Sequence, residues 1–298
     1  YNFTCSGLSA LPDQVDAAHW RYETRGAGSV TTWLGEHVGS GQRIGYDPWL
    51  HTREWVAQAS EALTRKGAEL SAIDANPVDT VWHDRPAPGI APAFPHDEAF
   101  AGRSASEKVA DIAAWLTARR ANTLVLTALD SVAWTLNIRG SDVSHTPVAL
   151  AYAVVHADAR VELFITPEKA DAALRAHMGA AVTVRPRADF ARALEMEFTG
   201  KTVAVDPERA VVAIFAALEA GGATIDAVRD PVVLAKALKS PAEIAGHKAA
   251  QLRDGAALTR FLRWISVEGP KGSETELSAA ARLHDFRRDT NQLIDLSF

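Results

Sequence analysis

The chain has 298 residues, 47% hydrophobic and 23% charged, which is room for two globular domains and part of a third. A net charge of −6 argues against nucleic acid, because phosphate binding needs a concentrated basic patch, and the doublets Arg119-Arg120 and Arg287-Arg288 read as helix surface. The single cysteine, Cys5, excludes an internal disulfide and fits a reducing, cytoplasmic compartment; no apolar run reaches the ~18–20 residues of a membrane span.

Residue 1 is Tyr, so a signal peptide removed before it stays open, and the first dozen residues carry no period. From Asp13 to Arg25, Val15, Ala18, His19 and Tyr22 suit a short helix, and Ser29 to Val38 a second. Arg43 to Pro48 reads as a strand ending in an Asp-Pro turn. Trp49 to Lys66 predicts an amphipathic helix with Leu50, Trp55, Val56, Ala59 and Leu63 on one face, closed by Gly67. Ala68–Ile73 is a strand and Asn76-Pro77-Val78 a turn or helix start. Trp82 to Pro95 is rich in proline, which fixes φ and removes donors, so it should be extended and outside a sheet interior.

Ser104 or Ser106 can cap a helix whose inward face is Val109, Ile112, Ala113 and Leu116. Two apolar runs, Leu124–Leu129 and Val148–Val155, have the length and branching of buried strands. Between them lies a polar loop, Asn137 to His145, holding Arg139, Asp142 and His145 on a rigid base. A solvated connection with Arg139 ion-paired to Asp142 explains it equally well. Arg160–Thr166 follows as a strand, then helix over Pro167–Met178, strand Ala181–Val184, helix Asp189–Phe198, strand Thr202–Asp206 and helix Glu208–Ala220. Pro241 to Val267 is a long helix; Ser273 or Thr275 caps another, running to about Arg288.

Three pairs stand in near-constant register: Asp47-Pro48 with Asp206-Pro207, Asp16 with Asp171, and Asn76-Pro77-Val78 with Asp230-Pro231-Val232. They suggest one α/β unit used twice. Residues 46 and earlier are too few to match what precedes Asp206, so the first unit reads as lacking its N-terminal half.

The stretch Asp130-Ser-Val-Ala-Trp134-Thr-Leu-Asn-Ile-Arg139-Gly-Ser-Asp142-Val resembles the signature of the Xaa-Pro aminopeptidases (aminopeptidase P) of the creatinase/prolidase "pita-bread" superfamily. Ile44-Gly-Tyr-Asp47-Pro48, Val81-Trp82-His-Asp84-Arg85-Pro86, Lys239 to Ile244, Glu274-Thr-Glu276, Phe286-Arg287-Arg288 and Asp295 to Phe298 continue the resemblance in order. It implies an α/β fold: two related α/β/α layers with mixed sheets, the first incomplete, followed by the opening helices of a pita-bread domain. The expected boundaries are 1–82, a linker at 83–95, 96–235, and 236–298.

By the same resemblance the intact enzyme removes an N-terminal residue before a penultimate proline, using a dinuclear site, usually Mn²⁺, with two Asp, one His and two Glu. Those ligands fall in the family beyond Phe298, so no catalytic or metal residue is expected on this chain, which should be inactive alone. The residues themselves agree: no His-Glu-x-x-His, paired cysteines, Gly-x-Ser-x-Gly or Walker loop occurs. Arg139, Asp142 and His145 are the substrate-proximal candidates, Arg139 suited to a peptide carboxylate or carbonyl. The expected partners are such peptides and a second copy of the chain, with no nucleic acid or membrane. A non-catalytic peptide-binding or dimerising module is the alternative.

Overall fold

The computed structural model describes residues 16, 18–19, 30–87 and 89–294, and the chain divides into two compact units. One comprises Tyr1–Arg85 with Val211–Ala213, the other Pro86–Ala210 with Ile214–Phe298. The expected helix at Asp13–Arg25 lies largely outside the described residues.

In the first unit α1 (Val30–His37) is followed by β1 (Arg43–Tyr46), α2 (Arg53–Thr64), β2 (Glu69–Ala72) and α3 (Pro77–Val81). β1 and β2 pair in parallel, Arg43 against Glu69, so the chain must cross back through α2. Leu34, Val38, Leu63 and Ala68 form the core between helices and strands. α2 begins later than its apolar pattern suggested. Asp47 Oδ1 accepts the Trp49 N–H at 2.8 Å, holding a turn, and Thr52 is the true cap. Leu50, expected on the buried face, therefore sits in that turn, exposed.

The second unit opens with β3 (Phe94–Pro95), α4 (Glu98–Ala101) and α5 (Ala105–Arg119). Then come β4 (Thr123–Leu126), α6 (Leu129–Leu136), β5 (Ile138–Arg139), β6 (Ala151–His156) and β7 (Val161–Ile165). α7 (Ala172–Met178), β8 (Val182–Pro186), α8 (Phe190–Met196), β9 (Thr202–Val205), α9 (Val212–Ala220), β10 (Thr224–Ala227) and α10 (Val232–Ala237) complete an α/β body. Its six-stranded sheet runs β10-β9-β4-β6-β7-β8 and is mixed, with β4–β6 and β6–β7 antiparallel and the other pairs parallel. β4 is buried at all four residues, as its apolar run demands of a central strand. On one face Val109, Ile112 and Leu116 of α5 and Val132 and Leu136 of α6 pack with Leu124, Ala153, Val155 and Leu163. Each such large side chain contributes roughly 1.5–3 kcal/mol by leaving water. On the other, Phe190 of α8 stacks on Tyr152 at 4.1 Å and meets Phe164 edge-on at 5.2 Å.

Both apolar runs divide differently from the expectation. Leu129 turns back into a helix, α6, instead of ending a strand, and β6 starts only at Ala151. Ser104 is the cap of α5, in a full capping box with Glu107, and Thr275 that of the helix Glu276–Arg288. Two long helices close the chain: α11 (Pro241–Glu268) and α12 (Glu276–Arg288), joined by the Arg287–Asp254 pair at 2.6 Å and Arg260–Asp289 at 3.2 Å.

The two units share a motif in hydrogen-bond detail. β1 pairs β2 as β9 pairs β10, in parallel over four residues. Gly41 N donates to Gly67 O at 2.8 Å and Gly200 N to Gly222 O at 3.0 Å. Asp47 Oδ1 accepts Trp49 N–H and Asp206 Oδ1 accepts Glu208 N–H; Asn76 Oδ1 accepts Val78 N–H and Asp230 Oδ1 accepts Val232 N–H. The repeat read from the sequence is thus carried by the capping carboxylates and amides themselves.

Candidate functional site

The polar loop grows out of α6. That helix ends at Asn137 in the left-handed region, φ 50°, from which the chain turns sharply into β5. β5 is held by β3, with Phe94 opposite Arg139 and Pro95 opposite Ile138. A proline fits there because the two-residue ladder is an edge that needs no donor from it. Gly140 follows, and a Cβ at that position would fall 2.9 Å from the backbone nitrogen of Ala149, so only glycine lets the loop lie against the start of the next strand.

Arg139 is half-buried. Its Nη1 donates to the carbonyls of Ile138 at 2.9 Å and Ala133 at 3.3 Å, which anchors one corner of the guanidinium, and its basicity is lowered by burial. Nε and Nη2 have no hydrogen bond among the described residues. Asp142 does not pair with Arg139, contrary to the local ion pair weighed from the sequence. Its Oδ1 lies 2.5 Å from Lys169 Nζ and its Oδ2 accepts the Leu150 N–H at 2.7 Å. Both side chains of this ion pair are 4% exposed. Asp142 therefore bolts the loop to the 3₁₀ turn Pro167–Lys169, and its oxygens are used up in doing so. His145 is exposed at the far tip, φ 61°, in a turn where Thr146 N donates to Val143 O at 3.2 Å. The three candidates share one loop in three different environments.

Beneath Arg139 lies a cluster the sequence reading missed. Lys108, 2% exposed, donates from Nζ to Asn137 Oδ1 at 2.6 Å and to Trp134 O at 3.0 Å, with the Trp134 ring 4.2 Å away. Burial, with Arg139 and Arg103 nearby, pulls its pKa down to about 8, opposed by Glu243. His96 is pushed to about 4 by burial first, then by Arg139 and Lys108, and is neutral at pH 7. Glu243, in the first turn of α11, is a carboxylate whose charge acts on all three of His96, Lys108 and Arg139. A signal for Lys108 existed: positions 108, 112 and 116 form one stripe, whose other members are buried Ile112 and Leu116. No sequence signal marks Lys169.

With one corner tied to backbone carbonyls, the Arg139 guanidinium has the remaining nitrogens with which charge-assisted hydrogen bonds can be made. For the dinuclear metal implied by the resemblance the donor set does not fit: among the described residues no three His, Cys, Asp or Glu side chains gather as a metal ion would need.

Comparison with known proteins identifies the family. The Creatinase/Prolidase N-terminal domain model matches residues 84–243, more than half of the chain. A protein named Probable Xaa-Pro aminopeptidase P from Aspergillus flavus is 32% identical over 294 residues, covering 94% of this chain and 45% of its own length. A protein of the same name from Paracoccidioides brasiliensis is 33% identical over 299 residues, covering 94% and 48%. The crystal structure of X-prolyl aminopeptidase from Caenorhabditis elegans, described as a cytosolic enzyme with a di-nuclear active site, superposes with a TM-score of 0.85 at 30% identity, over 98% of this chain and 49% of that one. The chain spans about half the length of the relatives it matches. It belongs to the creatinase/prolidase family, whose N-terminal-type domain it carries at residues 84–243.

Proposed function

We propose that the chain is the N-terminal portion of a metal-dependent Xaa-Pro aminopeptidase, which releases an N-terminal residue next to a penultimate proline, and that alone it hydrolyses nothing. The carrying observation is the match to an X-prolyl aminopeptidase along 98% of this chain and half of that enzyme. In this proposal residues 1–82 and 96–235 are the two related α/β domains, 83–95 links them, and 236–298 opens the catalytic portion. The dinuclear metal, Mn²⁺ by family resemblance, is held outside the described residues. The enzyme is a cytoplasmic homodimer whose partners are peptides, not nucleic acid or membranes.

Arg139 then acts on the substrate: Nη1 is tied to backbone, leaving Nε and Nη2 to hold a peptide carbonyl or carboxylate. Asp142 fixes the loop through Lys169, and His145 borders the site. The test is Arg139→Ala in the metal-loaded longer protein. Removing a charge-assisted hydrogen bond should lower kcat/KM by about 10- to 100-fold, from roughly 1.5–3 kcal/mol, at unchanged metal content. Unchanged kinetics would reject the substrate role.

A further inference from the structure

Asn137 is 2% exposed, and its polar atoms are all engaged. Oδ1 accepts from Lys108 Nζ at 2.6 Å and Nδ2 donates to Arg103 O at 2.8 Å. Its own carbonyl accepts the His96 N–H at 2.7 Å and lies 2.9 Å from His177 Nε2. The next two residues are β5, which ends in Arg139.

Arg103 follows Gly102, the left-handed cap of α4 at φ 73°. Ser240, the N-cap of α11, is seated against that glycine: a Cβ at position 102 would lie 2.3 Å from Ser240 Oγ and 3.2 Å from Ala242 Cβ. The same hydroxyl accepts the Glu243 N–H at 3.2 Å and donates to Ala101 O at 3.3 Å. One oxygen thus serves an orphan carbonyl at the end of α4 and an orphan amide at the start of α11. The three residues Ala101-Gly102-Arg103 are gripped at one end by Ser240 and at the other by Asn137. Glu243 adds an electrostatic tie, since Lys108 and Arg139 both feel its charge.

We infer that Asn137 is a positioning residue: through Arg103, Gly102 and Ser240 it fixes the strand carrying Arg139 against the first turn of α11. Only the consequence for turnover rests on the proposed peptidase function; the coupling itself is measurable without substrate. Asn137→Gly keeps the left-handed turn free of strain and deletes the bridge. Ser240→Ala keeps the helix and deletes the shared hydroxyl. Coupling is reciprocal, so each change must be felt at the other's site.

Hydrogen exchange on this chain reads it. In Asn137→Gly the Glu243 and Ile244 amides, bonded to Ser240 Oγ and Ser240 O, should exchange about tenfold faster, the loss of roughly one hydrogen bond. In Ser240→Ala the His96 amide, bonded to Asn137 O, should accelerate by a similar factor. Gly200→Ala is the control, since Gly200 is also left-handed, φ 69°, but has nothing within 4 Å of an added Cβ; both sets of amides should keep their wild-type rates. Acceleration confined to each substituted site, or equal acceleration in the Gly200→Ala control, would overturn the coupling. Should Asn137→Gly not fold, Gly102→Ala tests the same corner: both amide sets should accelerate, and unchanged rates would overturn it. In the longer enzyme, Asn137→Gly and Ser240→Ala should each lower kcat/KM at unchanged metal content, and the double variant should be no worse than the worse single; additive losses would overturn the coupling. A longer wild-type protein without any turnover would reject the peptidase reading and leave the exchange result standing.

Discussion

At the scale of single residues the loop is held by a buried ion pair over partly desolvated basic groups, and those carry the sharpest consequences. Lys169 and Asp142 form a buried pair at 2.5 Å. Removing one partner strands the other, so Lys169→Met should lower the unfolding free energy by about 3–5 kcal/mol, while Lys169→Met with Asp142→Leu should recover much of that loss in a denaturant titration. A double variant as unstable as the single would contradict the pair. His96 and Lys108 give the pH dependence. Both folded pKa values are lowered, to about 4 and about 8 from 6.5 and 10.5, so the unfolded chain binds more protons in each interval. The His96 contribution is present above pH 6.5 and is lost as pH falls toward 4, while stability gains again as pH rises from 8 to 10.5. The facing groups are Arg139, Lys108, Glu243 and Asp97 for His96, and Glu243, Arg139, Arg103 and Glu107 for Lys108. Melting temperatures of wild type and His96→Phe across pH 4–7 check the first interval: the wild-type decline toward pH 4 should be shallower in the variant, and parallel curves would contradict it.

At the scale of elements the repeat supplies a prediction of its own. Asp230 occupies in the second unit the position that Asn76 holds in the first, and burial raises its pKa above 3.8 despite the Ser131 hydroxyl at 2.6 Å. A raised carboxyl pKa means that the folded state disfavours the charge, so stability from this group falls as pH rises through the folded value. Asp230→Asn, which copies the first unit, should therefore raise the melting temperature at pH 7, with the gain shrinking toward pH 4. A lower melting temperature at pH 7 would show that the charge itself is needed. The corner was legible in the sequence because Asp-Pro, Asn-Pro and Asp-Pro are local turn chemistry. Capped helices such as α5 and α12 were legible for the same reason, through Ser104 and Thr275. α6 was not: its N-cap is Ala128, which offers no side-chain bond, and its apolar residues run straight on from β4. Lys108 was hidden by composition, since a lysine is expected outside, although its stripe pointed inward. The Asp142–Lys169 pair joins residues 27 apart in sequence and depends on tertiary folding alone.

At the scale of the whole molecule, the mixed sheet, the loop gripped at Asn137 and Asp142, and the two closing helices form a scaffold that presents Arg139 without a metal centre among the described residues. The family match covers the body of the second unit through the first turn of α11, and the structural match to an X-prolyl aminopeptidase runs along 98% of the chain. In the proposed function the chain orients the peptide and the metal chemistry belongs to the longer enzyme, a proposal that rests on the likeness to an enzyme about twice its length. The decisive measurement is hydrolysis of an Xaa-Pro peptide and its Xaa-Ala analogue with added Mn²⁺, by this chain alone and by the longer protein. Release of the first residue from the proline peptide by the longer protein only, with this chain inert, is the predicted result. Turnover by this chain alone, or a longer protein that is inert or indifferent to proline, would contradict it.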